Sequence, residues 1–326
     1  MTPGVTADLQ AMAKSVRAGQ RSAVAAALNL LDDQRAASRT QATALMTQLL
    51  PHYSVSTAHM IGITGPPGVG KSSLTAALIR HWLEHKQRVG VIAVDPSSPV
   101  SGGALLGDRL RMTSEVDNQH VFIRSLSNRG QFGGLSQEVW PMSLVMLCCF
   151  DIVIVETVGV GQREVDIASS CDTTCFVAQP GSGDSIQFLK AGILEVPHVV
   201  VVNKEDMGAV ATRTLAELSG VLNPNHPDGG WTVPVLATSA TGRSGIAPLG
   251  DTLAAHHQHL LATQRLQVRR REHQARWLLR CIEDEYGKKG VLQLGGTPAF
   301  IKEFSAHSAN PLEQYSACLQ RLSTTH

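Results

Sequence analysis

Residues 65–72 read Gly-Pro-Pro-Gly-Val-Gly-Lys-Ser, and with their flanks they constrain the fold more than any other part of this chain. Upstream, His59-Met60-Ile61-Gly62-Ile63-Thr64 is an apolar run of strand length. Downstream, Ser72 to His85 carries apolar residues at helical spacing. A buried strand, a glycine-rich loop and a helix in that order make a phosphate-binding loop. The glycines let backbone N–H groups close around a polyphosphate, and the helix N-terminus adds partial positive charge. Lys71 can reach the β- and γ-phosphates, and the Ser72 hydroxyl can ligate Mg²⁺. The expected phosphate contacts are therefore Gly65, Pro66, Pro67, Gly68, Val69, Gly70, Lys71, Ser72 and Ser73. A ligand-free strand-to-helix turn would need the Lys-Ser pair and both flanks to coincide by accident.

A second segment bears on the base. Val199-Val200-Val201-Val202 reads as a buried strand and runs into Asn203-Lys204-Glu205-Asp206, the N-K-x-D arrangement of guanine-binding proteins. A carboxylate at Asp206 accepts from both N1–H and the exocyclic amine of guanine. Adenine offers no such donor pair, so a site of this kind rejects it by leaving polar groups unpaired. The Lys204 stem can lie over the base, and Asn203 can tie loops together. Val233-Pro234-Val235-Leu236 then leads into Thr238-Ser239-Ala240, where Ser239 and Ala240 resemble the last guanine-contacting loop.

Between these anchors, Val89 to Asp95 is another apolar run that ends in a carboxylate. In a parallel sheet the strand C-termini share one ligand edge. Asp95 is thereby expected near the γ-phosphate, holding Mg²⁺ through water or orienting the attacking water. A glycine-rich loop follows, with Ser101-Gly102-Gly103 and Gly107-Asp108-Arg109. Asp151 to Val155 forms a further run, ending in Glu156-Thr157-Val158-Gly159. Glu156 takes the acidic position where most GTPases carry Asp, and the Gly159 amide can sense a γ-phosphate. Val160 follows, with no side chain able to position water, which implies slow intrinsic hydrolysis and a partner that completes the site.

Strands expected over 59–64, 89–95, 120–125, 151–156, 173–178, 198–203 and 233–238 alternate with helices. That pattern argues for an α/β fold, a mostly parallel sheet flanked by helices. Residues 1–54 read as a helical extension with breaks at Gly19 and Asp32-Asp33, ending at Pro51. Residues 55–262 form the nucleotide-binding domain, and 263–326 a helical C-terminal extension. Gln264 to Glu285 is a long helix, Gly287 to Gly296 a break, and a short helix follows Pro311.

The chain has 326 residues and a net charge of +1, so it carries no basic footprint for nucleic acid. Mean hydropathy is near zero. The most apolar window, Met142 to Val155, contains Asp151 and reads as a helix end and a core strand rather than a membrane span. No secretory signal is visible at the N-terminus. A cytoplasmic protein is expected, its six cysteines acting as reduced core thiols. Cys171 and Cys175 have no second pair at metal-ligand spacing. His256, His257 and His259 are expected on a solvated helix face, and Arg269-Arg270-Arg271 likewise.

Taken together, these segments resemble the MeaB/MMAA family, also known as ArgK or LAO/AO transport kinases. The similarity extends over nearly the whole chain. It rests on Ile63 to Ser72, Val94-Asp95-Pro96-Ser97-Ser98-Pro99, Leu106-Gly107-Asp108-Arg109, Glu156 to Gln162, Pro180-Gly181-Ser182-Gly183-Asp184 and Asn203-Lys204-x-Asp206. The resemblance implies a P-loop NTPase of the SIMIBI class that hydrolyses GTP to GDP. It further implies a homodimer built with helices outside the G domain, and a chaperone role toward an adenosylcobalamin-dependent acyl-CoA mutase, methylmalonyl-CoA mutase foremost. Carried over by position, Lys71 and Ser72 serve phosphate and Mg²⁺. Asp95, Asp108 and Glu156 surround Mg²⁺ and the hydrolytic water. Asn203, Lys204 and Asp206 read guanine. Residues 181–190 resemble an extra switch that reports nucleotide state. Ser185 and Val100 depart from the family's usual pattern at positions that tune partner coupling.

Three other readings compete with this one. A transport-protein kinase would use adenine, against the Asp206 pattern. A metallocentre-insertion GTPase would carry His or Cys ligands early in the chain, yet residues 1–50 have neither. A binding module with a dead site is opposed by Lys71, Ser72, Asp95 and Glu156.

Overall fold

The computed structural model describes residues 3–95, 119–127, 136–157, 167, 169–181, 197–222 and 230–324. Asp108, Gly159, Val100 and Ser185 lie outside the described residues, as does the side chain of Asp95. The chain opens with three helices, α1 (Pro3–Arg17), α2 (Arg21–Asp32) and α3 (Ala36–Tyr53). Each buries an apolar stripe; in α2 it is Val24, Ala27, Leu28 and Leu31, the spacing of one helical face. Gly19 turns the chain between α1 and α2 with φ 73°. Before α3, the Asp33 carboxylate accepts from the Arg35 amide at 3.0 Å and from Ser38 Oγ at 2.8 Å. Pro51 does not end α3, which runs on to Tyr53. Its ring holds a helical φ and forfeits only its own N–H bond, so the last turn closes through Ser54 N to the Leu50 carbonyl at 3.2 Å.

The sheet begins with β1 (His59–Thr64), followed by α4 (Lys71–Glu84), β2 (Val89–Asp95), β3 (Val121–Ser127), α5 (Val139–Met146), β4 (Ile152–Thr157), β5 (Thr173–Ala178) and β6 (Val199–Val202). A short 3₁₀ turn over Glu205–Met207 leads to α6 (Ala209–Val221), β7 (Val235–Ala237) and α7 (Ile246–Ala262). All seven expected strands are present, in the order β3-β2-β4-β1-β5-β6-β7. Every pairing is parallel. Strand order reverses direction at β1, so the carboxyl ends of β1, β4 and β5 frame a crevice of the kind that receives ligands in open α/β sheets.

Period-two alternation divides the core. Val199, Val201, Cys175 and Val177 face a layer with Leu74, Leu78, Leu249 and Leu253. Val200, Val202, Phe176 and Ala178 face Leu218 and Leu222 on the other side. Gly62 in the middle of β1 has a steric reason: a Cβ there would lie 2.2 Å from Ile167 Cγ2.

After α7 come α8 (Arg265–Gln293), α9 (Thr297–Phe304) and α10 (Pro311–Ser323). The break expected from Gly287 to Gly296 is only a kink at Gly287, with φ 64°. The helix resumes to Gln293, and α9 fills part of what reads in sequence as a gap. Phe300 and Phe304, one turn apart and both buried, supply the apolar face that stabilises it.

Two compact units emerge from the contacts: residues 59–136 with 151–263, and residues 1–58 with 137–150 and 264–326. The second unit thus joins both chain ends to α5. Asn310 caps α10 by accepting from the Leu312 amide, and its Nδ2 donates to the Thr43 carbonyl of α3 at 2.8 Å. Trp277 Nε1 of α8 donates to the Gln137 carbonyl at 2.8 Å.

Two expectations of solvated faces are overturned. His256 and His257 are buried, 1% and 8% exposed. They share the stripe of Leu253 and Leu260, so they continue the apolar face of α7. A hydroxyl bridge serves His256: Thr173 Oγ1 lies 2.7 Å from His256 Nδ1 and 2.6 Å from His59 Nε2, while His257 stacks on His59. Arg270 is buried as well, its guanidinium donating to the Ser56 and Ala58 carbonyls at 2.7 and 2.5 Å. Backbone carbonyls there replace the water an arginine would otherwise keep. None of the six cysteines is in a disulfide, and no helix among the described residues is long and apolar enough to cross a membrane.

Candidate functional site

The loop between β1 and α4 needs its glycines at three points. Gly65 (φ 145°) passes so close to β5 that a Cβ would lie 2.1 Å from the Val177 carbonyl oxygen. Gly68 takes φ 77°. Gly70 (φ 92°) precedes the helix, and a Cβ there would lie 2.6 Å from Asn203 Nδ2. The residues at α4's start leave the first N–H groups of the helix without intrahelical partners, at its positive end.

Lys71 opens α4 and is 6% exposed. Its ammonium donates to the Gly65 and Pro66 carbonyls at 2.9 and 2.8 Å, which holds the charge at the base of the loop. Ser72 Oγ donates to Glu156 Oε1 at 2.6 Å. Glu156 is brought there by register: in β4 it pairs with Ile63 of β1 on one side and Ala93 of β2 on the other. The backbone of Asp95 lies just beyond, since Val94 pairs with Thr157. A half-buried hydroxyl and a buried carboxylate in contact, beside a phosphate loop, form an all-oxygen donor set that fits a hard cation such as Mg²⁺.

The residues of the N-K-x-D segment are bound into the same edge. Asn203 Nδ2 donates to the Val69 carbonyl at 2.9 Å, while its Oδ1 accepts from the Ala240 amide at 3.2 Å and Thr238 Oγ1 at 3.3 Å. One buried side chain therefore joins the phosphate loop, the end of β6 and the loop after β7. Lys204 adopts φ 64° and stretches its ammonium to the Gly68 carbonyl at 2.8 Å and Gln179 Oε1 at 2.9 Å. Asp206 is exposed and oriented by Ser239, whose Oγ donates to Oδ1 at 2.6 Å. Ser239 Oγ in turn accepts from the Gly242 amide at 3.0 Å. Among the described residues, the sheet edge thus gathers residues 65–73, Glu156, Asn203, Lys204, Asp206, Ser239 and Ala240. Gln179 is a member that sequence reasoning missed: it belongs to no motif, and only the β5–β6 pairing carries it to Lys204. Among the described residues no group of three or more His, Cys, Asp or Glu is placed to hold a metal ion by itself.

Comparison with known proteins gives the site its context. Residues 24–293 match the family model of the methylmalonyl Co-A mutase-associated GTPase MeaB. The probable GTPase Rv1496 of Mycobacterium tuberculosis is 38% identical over 277 residues, covering 84% of this chain and 82% of the relative. The mitochondrial methylmalonic aciduria type A homolog of Caenorhabditis elegans is 31% identical, covering 85% of this chain and 73% of the relative. Among solved structures, an LAO/AO transport system kinase superposes with a TM-score of 0.68 at 25% identity, covering 98% of this chain and 99% of the other.

Proposed function

Because this chain belongs to the MeaB family of methylmalonyl-CoA mutase-associated GTPases and hydrolyses GTP, we propose that it is a cytoplasmic G-protein serving an adenosylcobalamin-dependent acyl-CoA mutase. Methylmalonyl-CoA mutase is the first candidate, and the task is to gate loading, protection or reactivation of its cofactor. The observation that carries the reading is the bonding of the phosphate loop to the N-K-x-D loop through Asn203 and Lys204, in a chain matched to that family.

In this reading the backbone of residues 65–73 holds the phosphates. The Lys71 ammonium exchanges a loop carbonyl for a phosphate oxygen as nucleotide enters. Ser72 and Glu156, with Asp95 and Asp108, hold Mg²⁺ and fix the hydrolytic water. The bound ion supplies charge neutralisation at the phosphate oxygens. The Gly159 amide senses the γ-phosphate. Asp206, steadied by Ser239, accepts from the guanine edge, the Lys204 stem covers one face of the base, and the Ala240 loop closes the pocket. Residues 181–190 report nucleotide state to the mutase. Two copies pair through the C-terminal helical extension. A difference in mutase affinity between the GTP and GDP states is what lets hydrolysis reset the complex.

The test is GTP turnover by the purified protein with and without the methylmalonyl-CoA mutase of the same host, ATP serving as control. Stimulation with GTP alone is the expected result. Unchanged GTP turnover would remove that mutase as the partner, and turnover of ATP at the same rate would remove the guanine reading.

A further inference from the structure

We propose that Gln179 is a positioning residue for Lys204, and that its amide couples the base-reading loop to the chain leaving β5. The inference rests on the guanine reading given above. Gln179 follows Ala178, the last residue of β5, which pairs with Val202 of β6. The Asn203 amide donates to the Ala178 carbonyl at 2.9 Å, so the parallel ladder runs on to the threshold of the N-K-x-D loop. That extension sets Gln179 beside Lys204, and its Oε1 accepts from the lysine ammonium at 2.9 Å.

The same ammonium donates to the Gly68 carbonyl at 2.8 Å. Lys204 is thereby held at its far end from two sides, by the phosphate loop and by the end of β5. A four-carbon stem anchored only at its Cα would sample many rotamers. Anchored at both ends, it forms a fixed wall for the base, and the ordering cost is met before nucleotide arrives. Its backbone is already set in the left-handed region at φ 64°, a conformation a lysine does not hold without support from its surroundings. The acceptor is a neutral amide, so it positions the ammonium without cancelling its charge.

Gln179 also leads the chain out of β5. Two residues on, the Gly181 amide donates to Thr214 Oγ1 of α6 at 3.2 Å. A side-chain bond at 179 and a backbone bond at 181 therefore pin the chain at the point where residues 181–190 begin. The wall that Lys204 forms is thereby tied, through one hydrogen bond, to a pinned stretch of chain.

The test measures dissociation of guanosine diphosphate from the full chain. Gln179→Leu removes the acceptor at similar size and is expected to speed dissociation about fivefold, the scale of one partly exposed hydrogen bond to a charged group. The melting midpoint without nucleotide should stay at the parent value. Gln179→Glu restores an acceptor and should bring dissociation back to the parent rate or slower. Asp206→Asn, run in parallel, should turn the preference from guanosine to xanthosine diphosphate, because the amide matches a ring carbonyl where guanine has its amine. If Asp206→Asn switches preference but Gln179→Leu releases guanosine diphosphate at the parent rate, the role of Gln179 is refuted and the guanine reading stands. If Asp206→Asn does not switch, the guanine reading falls and this inference with it. Equal loss of melting midpoint in the Leu and Glu variants would make Gln179 a scaffold residue and overturn the proposal.

Discussion

Replacing Asn203 by Ala isolates the joint between the two halves of the site. The side chain is 2% exposed and makes three hydrogen bonds. Truncation leaves the Val69 carbonyl without its donor and the Ala240 amide without its acceptor. Val69 is 0% exposed and Ala240 7%, so water reaches neither without rearrangement. Each buried orphan costs about 1–3 kcal/mol. The Thr238 contact at 3.3 Å is long and adds little. The two backbone groups together give about 2–4 kcal/mol, with relaxation of the loops keeping the sum toward the lower end. For a domain of this size that is a fall in melting midpoint of about 5–15 °C. Thermal unfolding without nucleotide reads the first quantity, and guanosine diphosphate binding by calorimetry reads the second. Binding should weaken by at least about tenfold, since the phosphate and base loops lose their common tether. A midpoint within about 2 °C of the parent, together with unchanged affinity, would refute the reasoning that this side chain satisfies buried backbone.

Glu156→Gln keeps the volume and one acceptor for Ser72 but removes the charge; GTP turnover should fall about 100-fold or more while guanosine diphosphate still binds, as single-turnover assays and titration will show. Native thiols should resist labelling at pH 8, because burial pushes Cys148 and Cys175 up to about 12 and Cys318 up to about 11. Rapid modification of more than one thiol before unfolding, followed by mass spectrometry, would contradict that burial. His81 lies below the usual imidazole range, chiefly because burial disfavours its charge and also because His85 stands beside it. The unfolded chain therefore binds the proton more readily than the fold, so His81 contributes stability above about pH 6.5 that is lost as pH falls through its folded value. Urea unfolding at pH 7.5 and 5.5 should show a smaller loss on acidification in His81→Gln than in the parent.

Much of the site was legible before any coordinates. Residues 65–72 and 203–206 carry their chemistry locally: glycine where a Cβ cannot fit, a lysine and serine opening a helix, a carboxylate just past a tetravaline strand. Glu156 was legible too, as an acid ending an apolar run. Gln179 was not, because a glutamine in a loop has no signature until its partner is known. The seven strands follow from runs of apolar residues bounded by polar ones. The helices after Gly287 were harder, since a left-handed glycine kinks α8 without ending it and α9 is brief.

Residue type and short-range spacing suffice for the parallel α/β architecture and the phosphate loop, and they single out the candidate acidic and N-K-x-D residues. Polar groups whose partners are distant in the chain have a fate that short-range spacing does not reveal. His256 reads as a solvated histidine until the Thr173 hydroxyl is seen to partner it. Arg270 reads as a surface cation until the Ser56 and Ala58 carbonyls take the place of water. The joining of both chain ends with residues 137–150 is of the same kind. Burial of a polar group is decided by whether the fold can replace its hydration, and that replacement is supplied by residues far away along the chain.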